Sequence, residues 1–166
     1  FGIKPTSILR AVWVNITNLG YSQGASTITQ QVVKNSLLNK EKTISRKLKE
    51  WVLAIRLEGM LSKDEILHLY LNEIPYGGSI YGIQEASSAF FNKDAEELTV
   101  AESAYLAALP KAPTFYSPYG NNRDRLELRK DLVLSEMLEN GFISQEEHDE
   151  ALLEEIIFQA RAETGI

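Results

Sequence analysis

Apolar residues recur along this chain three or four positions apart, which is the spacing of one face of an α-helix. The first such series lies within residues 6–19 and consists of Ile8, Leu9, Val12, Trp13, Ile16 and Leu19. Runs that alternate apolar and polar residues, as half-buried strands do, are nearly absent. The pattern therefore predicts a helical fold that opens with an amphipathic helix.

Local start and stop signals divide the rest of the chain into further helices. Thr27, Ser62, Thr99 and Ser144 each stand three positions before a Glu or Gln, the spacing of a capping box. Gly141 is suited to end a long helix in the left-handed conformation. The predicted helices cover residues 27–38, 43–59, 62–71, 83–90, 99–109, 123–140 and a last one from 144, with a loop at 74–79. We expect an all-α fold in which residues 1–166 form one domain, because no linker or repeat interrupts the series.

The second predicted helix carries a polar stripe. Its members share one side and offer a hydroxyl, two amides and an ammonium group: Thr27, Gln30, Gln31 and Lys34. Ile28 and Val32 lie on the other side and are expected to face the core. Such a stripe suits a phosphate or sugar hydroxyls. It is also what an ordinary solvent-facing side looks like.

The third predicted helix has an apolar face and a charged face. The expected core face consists of Ile44, Leu48, Trp51, Val52 and Ile55. On the opposite side Arg46 and Glu50 stand four positions apart, the spacing of an ordinary ion pair. That side turns apolar again at Leu53 and Ala54, so Glu50 is also placed to border a buried cleft with cations beside it. Spacing leaves both interpretations open.

The overall charge changes this picture locally. The formal net charge is −6, which disfavours nucleic acid as a partner because phosphate backbones require a basic surface. Residues 34–49 oppose that balance with six cations: Lys34, Lys40, Lys42, Arg46, Lys47 and Lys49. A basic island on an acidic protein indicates an anionic ligand at one site.

Several function classes and features are disfavoured by what the sequence lacks. There is no cysteine, so disulfides and thiolate metal sites are ruled out. Neither His68 nor His148 is assigned to a metal. No stretch is apolar for the length that a bilayer crossing needs. Because the sequence begins at Phe1 rather than Met, we expect it to be part of a longer protein.

Four segments carry a resemblance to a known family. Residues 24–35 read GASTITQQVVKN, residues 46–50 read RKLKE, residues 70–77 read YLNEIPYG, and residues 101–113 read AESAYLAALPKAP. In this order they closely resemble the second to fifth motifs of the peptidoglycan glycosyltransferases, the transglycosylase domains of penicillin-binding proteins and their monofunctional relatives. The resemblance covers residues 1 to about 119. The sequence differs from some members of the family at Lys42, where those members have arginine.

The resemblance implies a fold, a reaction and a set of site residues. The fold is lysozyme-like, with a helical head lobe and a smaller jaw that meets the membrane and maps to residues 8–38. The reaction polymerises lipid II into a β-1,4 glycan with inversion and releases polyprenyl pyrophosphate. Glu50 would be the catalytic residue of this chain, positioning cations or assisting the leaving group. The implied substrate-binding residues are Ser26, Thr27, Gln30, Gln31, Lys34, Asn35, Lys42, Arg46, Lys49, Asn72 and Tyr76.

The family's first motif, which holds its principal catalytic glutamate, is not found after Phe1. The resemblance places that motif just upstream, so we expect this chain to be inactive on its own. A divalent cation such as Mg²⁺ at the pyrophosphate is one further expectation, although no metal ligand is named.

The implied partners are lipid II, the growing glycan chain and the bacterial membrane surface. The family has bifunctional members with a C-terminal transpeptidase domain and monofunctional members without one, and the sequence leaves both alternatives open. The implied location is the outer face of the cytoplasmic membrane, with an anchor outside this segment. Two other functions stay open: a lysozyme-like lytic enzyme that cleaves glycan, and a catalytically incomplete module that binds a lipid-linked precursor. The lytic enzyme does not explain the basic island, because a glycosidic bond has no pyrophosphate.

Overall fold

The computed structural model describes residues 27–36 and 43–160. Within these ranges the chain is helical, which confirms the predicted fold class. The helices are α1 Ile28–Ser36, α2 Ile44–Met60, α3 Lys63–Glu73, α4 Ile83–Phe91, α5 Val100–Ala108, α6 Arg123–Glu139 and α7 Gln145–Leu153. Short 3₁₀ turns cover Ala95–Glu97 and Leu109–Lys111. The predicted helix at residues 6–19 and most of the expected jaw lie outside the described residues.

Capping boxes begin four of these helices, at the positions that the sequence predicts. Thr27, Ser62, Thr99 and Ser144 each accept the backbone N–H of the residue three positions on, and that residue's side chain accepts the N–H of the cap. These bonds satisfy amide groups that a helix start leaves unpaired. Gly141 follows α6 with φ +72°, as a left-handed helix end requires.

A small antiparallel hairpin replaces part of the loop predicted at residues 74–79. Its strands are β1 Pro75–Gly77 and β2 Ile80–Tyr81, too short for alternation to be visible in the sequence. Gly82 follows with φ +81°, and its N–H donates to the Ile74 carbonyl at 3.1 Å. A Cβ atom at Gly82 would lie 2.7 Å from the Asn72 carbonyl oxygen. The hairpin is therefore pressed directly against the end of α3.

The core lies beneath the hairpin, between α4, α5 and α6. Its main cluster consists of Ile74, Tyr76, Ala86, Phe90, Phe91, Tyr105, Leu106, Ala108, Leu109 and Leu126. A second cluster joins α5, α6 and α7 through Ala101, Ala104, Leu134, Ile143 and Ala151. The main cluster includes Tyr76 of β1, Leu109 of the second 3₁₀ turn and Leu126 of α6, so it holds the hairpin and the 3₁₀ turn in the same core.

The predicted core face of α2 is wrong. Ile44, Leu48, Trp51, Val52 and Ile55 are each at least 53 % exposed. The buried residues of α2 are Glu50 and Ala54, on the side that contacts α1 and α3. The Thr29 hydroxyl of α1 donates to the Glu58 carboxylate at 2.7 Å on this polar side. The amphipathic pattern identified an apolar face, but the neighbouring helices pack on the other one.

Helix α1 also departs from one prediction. Val32 is buried as expected, together with Thr29 and Val33, whereas Ile28 is exposed. Thr29, the next residue, takes the buried position of this first turn and bonds to Glu58 of α2. Among the described helices, none combines the length and the apolar character that spanning a membrane requires.

Candidate functional site

The polar side of α1 forms one wall of a cavity of about 210 Å³. Gln31, Lys34 and Asn35 line this wall, so three predicted site residues lie together. Their spacing places them on one side of the helix, while Val32 and Val33 turn to the core. The burial of the two valines therefore fixes which polar groups the helix presents to the cavity.

The opposite wall comes from two distant segments of the chain. It consists of Ile74, Pro75, Pro110, Lys111 and Pro113. The buried residues Ile74 and Leu109 anchor these segments in the main core cluster. The Ala112 N–H donates to the Leu109 carbonyl at 3.1 Å and closes a tight turn around Lys111. Prolines restrict the backbone on both sides of Lys111, so its position is set by a stiff wall.

The charged groups that line this cavity are both positive. Lys34 and Lys111 are exposed ammonium groups, and none of the described lining residues is acidic. Gln31 and Asn35 add carboxamide groups that can donate hydrogen bonds. Two cations and two amide donors around one opening suit an anion with several oxygens, such as a phosphate ester.

Other predicted residues on and before α1 serve its start. Gln30 and Thr27 bond each other in the capping box, with distances of 3.2 Å in both directions. Neither residue lines the cavity. Ser26 and Lys42 lie outside the described residues. Their parts in substrate binding stay predictions.

Glu50 is completely buried in α2, and it pairs with Lys47. The partner is thus Lys47, three positions before Glu50, and not Arg46, which the spacing argument had named as the ion-pair partner. Among the described residues, the Glu50 Oε2 and Arg46 Nε atoms are buried without a hydrogen-bond partner. Buried polar atoms of this kind need an explanation, because a lost hydrogen bond in the interior costs about 1–3 kcal/mol. Glu50 therefore retains one oxygen that is free to accept a donor or a cation.

The described residues of α2 do not line the cavity that holds Lys34. Glu50 and Arg46 lie on the side of α2 that packs on its neighbours, and Lys49 is exposed. The basic island predicted at residues 34–49 therefore contributes Lys34 to this cavity, but none of its described cations on α2. The second cation of the cavity comes from Lys111 instead.

The two predicted residues of the YLNEIPYG segment have different surroundings. Asn72 is exposed, and its side-chain amide donates to the His68 carbonyl at 2.8 Å. Tyr76 is buried in the main core cluster. Burial raises the pKa of the Tyr76 phenol, and the neighbouring Tyr70 raises it further. The Tyr76 hydroxyl therefore stays protonated across the physiological range, and its role in binding substrate stays a prediction.

Lys111 is a cavity residue that the sequence-based site omits. It stands between Pro110 and Pro113 in the AESAYLAALPKAP segment, where it is the single cation. A lone cation in a proline-stiffened turn was the available signal, because a stiff turn holds a charge in place at little entropic cost. In the described ranges no group of three or more His, Cys, Asp or Glu side chains gathers as a metal site.

Comparison with known proteins adds a family to this geometry. The family model described as "Transglycosylase" matches residues 1–138. Penicillin-binding protein 1A of Haemophilus influenzae is 49 % identical over 156 residues, which cover 94 % of this chain and 18 % of the relative. The corresponding protein of Neisseria cinerea is 47 % identical over 159 residues, covering 96 % of this chain and 20 % of the relative. The chain thus spans about a fifth of the length of these relatives.

A solved structure shows the same similarity. The crystal structure of penicillin-binding protein 1A from Haemophilus influenzae matches with a TM-score of 0.54 and 33 % sequence identity. The match covers 81 % of this chain and 17 % of the crystallised one. Sequence and fold therefore agree on one group of relatives.

Proposed function

The chain belongs to the transglycosylase family, and from that premise we propose that it is part of an inverting peptidoglycan glycosyltransferase that polymerises lipid II. The observation that carries the proposal is the cavity that Lys34 and Lys111 both line. Lipid II carries its sugars on a diphosphate, and a doubly cationic cavity with amide donors suits that group.

The proposed reaction transfers a sugar from the diphosphate to a hydroxyl group. The acceptor's 4-hydroxyl oxygen bonds to the donor's anomeric carbon, and the bond from that carbon to the diphosphate oxygen breaks. Polyprenyl pyrophosphate leaves with the electron pair, and the proton of the hydroxyl passes to a base. The family resemblance places that base in a motif upstream of this chain. Attack opposite to the leaving group inverts the anomeric configuration.

The cavity residues would act on the leaving group. Negative charge grows on the diphosphate as the bond to carbon breaks, and fixed positive charges at that position lower the barrier. Lys34 and Lys111 are held on separate walls, so they can contact different oxygens of the group. Gln31 and Asn35 would donate hydrogen bonds that orient it.

Glu50 would act by positioning rather than by contact with the diphosphate. Its carboxylate is buried and paired with Lys47, so it fixes one cation of the basic island in α2. The second carboxylate oxygen of Glu50 has no hydrogen-bond partner among the described residues, so it can accept a further donor. A divalent cation such as Mg²⁺ at the diphosphate is part of the proposal, and its ligands would come from the diphosphate and water, because Glu50 does not line the cavity.

The same cavity distinguishes this proposal from the two alternatives. A lytic enzyme that cleaves glycan meets no diphosphate, so it leaves the Lys34 and Lys111 pair without a role. A module that only binds the lipid-linked precursor would use the same cations but would not turn the precursor over. Turnover therefore separates the proposal from the binding module.

The partners and location follow as part of the proposal. The relatives are penicillin-binding proteins by name, so a transpeptidase domain in the same polypeptide is the proposed companion of this one. Lipid II and the growing glycan are the proposed substrates, and the membrane that carries lipid II is the proposed surface of action. The proposed location is the outer face of the cytoplasmic membrane.

A polymerisation assay tests the function. The full-length gene product is incubated with fluorescent lipid II, and glycan chains are separated by electrophoresis. We expect polymer from the parent protein and a loss of at least about a hundredfold in kcat/KM for Glu50→Gln. Circular dichroism checks that the variant is folded, and Arg125→Ala, on the exposed start of α6, is the control.

Two results would contradict this account. Binding of lipid II by the parent protein without any polymer favours the precursor-binding module. Near-normal polymerisation by Glu50→Gln removes Glu50 from the mechanism while leaving the enzyme class intact.

A further inference from the structure

Residues 154–160 form an extended segment after α7 that the proposed reaction does not use. They lie beyond the 138 residues that the family model matches. The segment nevertheless returns to the main core cluster, against which Ile156 and Phe158 pack. We call residues 154–160 the strap.

Phe158 holds the strap through ring contacts. Its ring centroid lies 5.2 Å from that of Tyr105 and 6.3 Å from that of Phe90, both edge to face. The Phe91 ring centroid lies 5.4 Å away, and the Arg123 guanidinium stands over the Phe158 ring at 5.1 Å from its centroid. Edge-to-face ring pairs and cation–π contacts are both favourable, so Phe158 anchors the strap.

The backbone beside Phe158 bridges two other parts of the molecule. The Gln159 N–H donates to the Phe90 carbonyl at 2.8 Å, at the end of α4. The Gln159 carbonyl accepts the Tyr119 hydroxyl, also at 2.8 Å. At its other end the strap is fixed by Glu154, which accepts the Thr99 hydroxyl at 2.8 Å.

Tyr119 belongs to the segment that carries the Lys111 wall of the cavity. Residues 112–122 contain turns but neither helix nor strand. Successive short bonds link them: Ala112 N–H to the Leu109 carbonyl, Tyr116 N–H to the Ala112 carbonyl, and Gly120 N–H to the Ser117 carbonyl. The buried Leu109 and the prolines fix the Lys111 end of this segment, and Tyr116 packs against the main core cluster, so the end that leads into α6 is the part that a further tie can fix. The Tyr119 hydroxyl and its ring contact with Phe90 at 6.0 Å tie this segment to the strap and to α4.

We propose that the strap positions the Lys111 wall of the cavity by holding Tyr119. Tyr119 and Phe158 are thus positioning residues that act through Lys111. The mechanical part of this proposal stands on the contacts above, whereas its effect on ligand binding rests on the proposed function. In physical terms, the polypeptide after α7 is coupled to the substrate site by a path through Gln159 and Tyr119.

Amide hydrogen exchange of the full chain tests the mechanical part without a ligand. Tyr119→Phe removes one hydroxyl and keeps the ring, so it releases the strap bond with little change in packing. We expect exchange at Ala112 and Tyr116 to rise about threefold to tenfold, with exchange in α7 unchanged. Tyr81→Phe makes the same chemical change on an exposed residue and is the control. Unchanged exchange at Ala112 and Tyr116 would overturn the proposal.

A double-mutant cycle tests the link to the cavity. Calorimetry with inorganic pyrophosphate measures the affinity of the parent chain, Phe158→Ala, Lys111→Ala and the double variant. We expect Phe158→Ala to weaken binding about threefold to tenfold, Phe158→Leu to restore part of it, and Phe158→Ala to have no further effect once Lys111 is absent. Additive losses would show that Phe158 does not act through Lys111, and the positioning role would fail.

The outcomes keep the two proposals apart. If exchange at Ala112 and Tyr116 rises in Tyr119→Phe but the parent chain binds no pyrophosphate, the strap stands and the proposed ligand is wrong. If pyrophosphate binds and depends on Lys111 but not on Phe158 or Tyr119, the proposed ligand stands and the strap is wrong.

Discussion

At the scale of single residues, two kinds of charged group have different roles in this protein. Glu50 is buried and paired with Lys47, so its carboxylate is held within the fold. Lys34 and Lys111 are exposed at the cavity, so their ammonium groups are available to a ligand. A buried carboxylate must keep its partner because an unpaired charge in the interior costs several kcal/mol. An exposed cation bears no such cost and is free to serve binding.

Replacing Lys34 should weaken the binding of a diphosphate. Among the described residues two cations line the cavity, and Lys34→Ala removes one of them. We expect about a tenfold loss of affinity for a pyrophosphate-containing substrate analogue. Calorimetry on the full chain measures this loss. Arg125→Ala changes the net charge equally at an exposed side chain that does not line the cavity, and it should leave the affinity within about twofold. If the affinity of Lys34→Ala were unchanged, the polar side of α1 would be an ordinary solvent-facing surface and not a binding site.

At the scale of elements, the sequence predicted well those features that depend on residues three or four positions apart. The four capping boxes and the left-handed Gly141 depend on neighbours in sequence, and all five are confirmed. The face on which α2 packs was not predictable in the same way. An apolar stripe shows that a helix has two unlike sides, but the partner decides which side is covered. Here the Thr29 contact with Glu58 joins α1 to the polar side.

The hairpin gives a sharp prediction at Gly82. Its φ of +81° disfavours any side chain, and a Cβ atom would meet the Asn72 carbonyl oxygen at 2.7 Å. Because that oxygen is backbone, it cannot move aside without shifting the end of α3. We expect Gly82→Ala to lower the free energy of unfolding by about 2–4 kcal/mol, measured by urea denaturation.

Gly59 supplies the control for this measurement. It lies in α2, and nothing comes within 4 Å of a Cβ atom built there. Gly59→Ala should raise stability by up to about 1 kcal/mol, because alanine loses less backbone entropy in a helix. Equal stability of the two variants would show that the hairpin does not approach Asn72 as described.

The cap of α7 predicts how stability responds to acid. Two hydrogen bonds lower the pKa of the Glu147 carboxyl below its usual 4.5. The bond from the Ser144 backbone N–H has the larger effect, and the bond with the Ser144 side chain has the smaller one. A carboxyl group whose pKa is lower in the folded state stabilises the protein at any pH above the pKa it has in the unfolded chain. That contribution is lost as the pH falls through the pKa of the folded state. We therefore expect Glu147→Gln to flatten the loss of stability below about pH 4.5. Thermal melting between pH 3 and 7 measures it, with Glu146→Gln as the control, and parallel curves for all three proteins would contradict the prediction.

At the scale of the whole molecule, the cavity joins parts of the chain that are far apart in sequence. The helix wheel indicated Gln31 and Lys34, and the family resemblance added Asn35; all three line the cavity. The sequence did not indicate Lys111, because only the packing of β1 on the 3₁₀ turn Leu109–Lys111 brings that residue opposite α1. The reading of residues 1–166 as one domain also depends on long-range packing, and it stays a prediction.

The most direct test of the central claim is a crystal structure of the protein with a lipid-linked substrate or a phosphoglycolipid inhibitor bound. The account predicts diphosphate or phosphate oxygens within about 3.2 Å of the Nζ atoms of both Lys34 and Lys111. It also predicts that Glu50 stays paired with Lys47 in the complex. A ligand whose phosphate groups bind elsewhere, with the cavity between α1 and residues 109–113 left open, would contradict the claim.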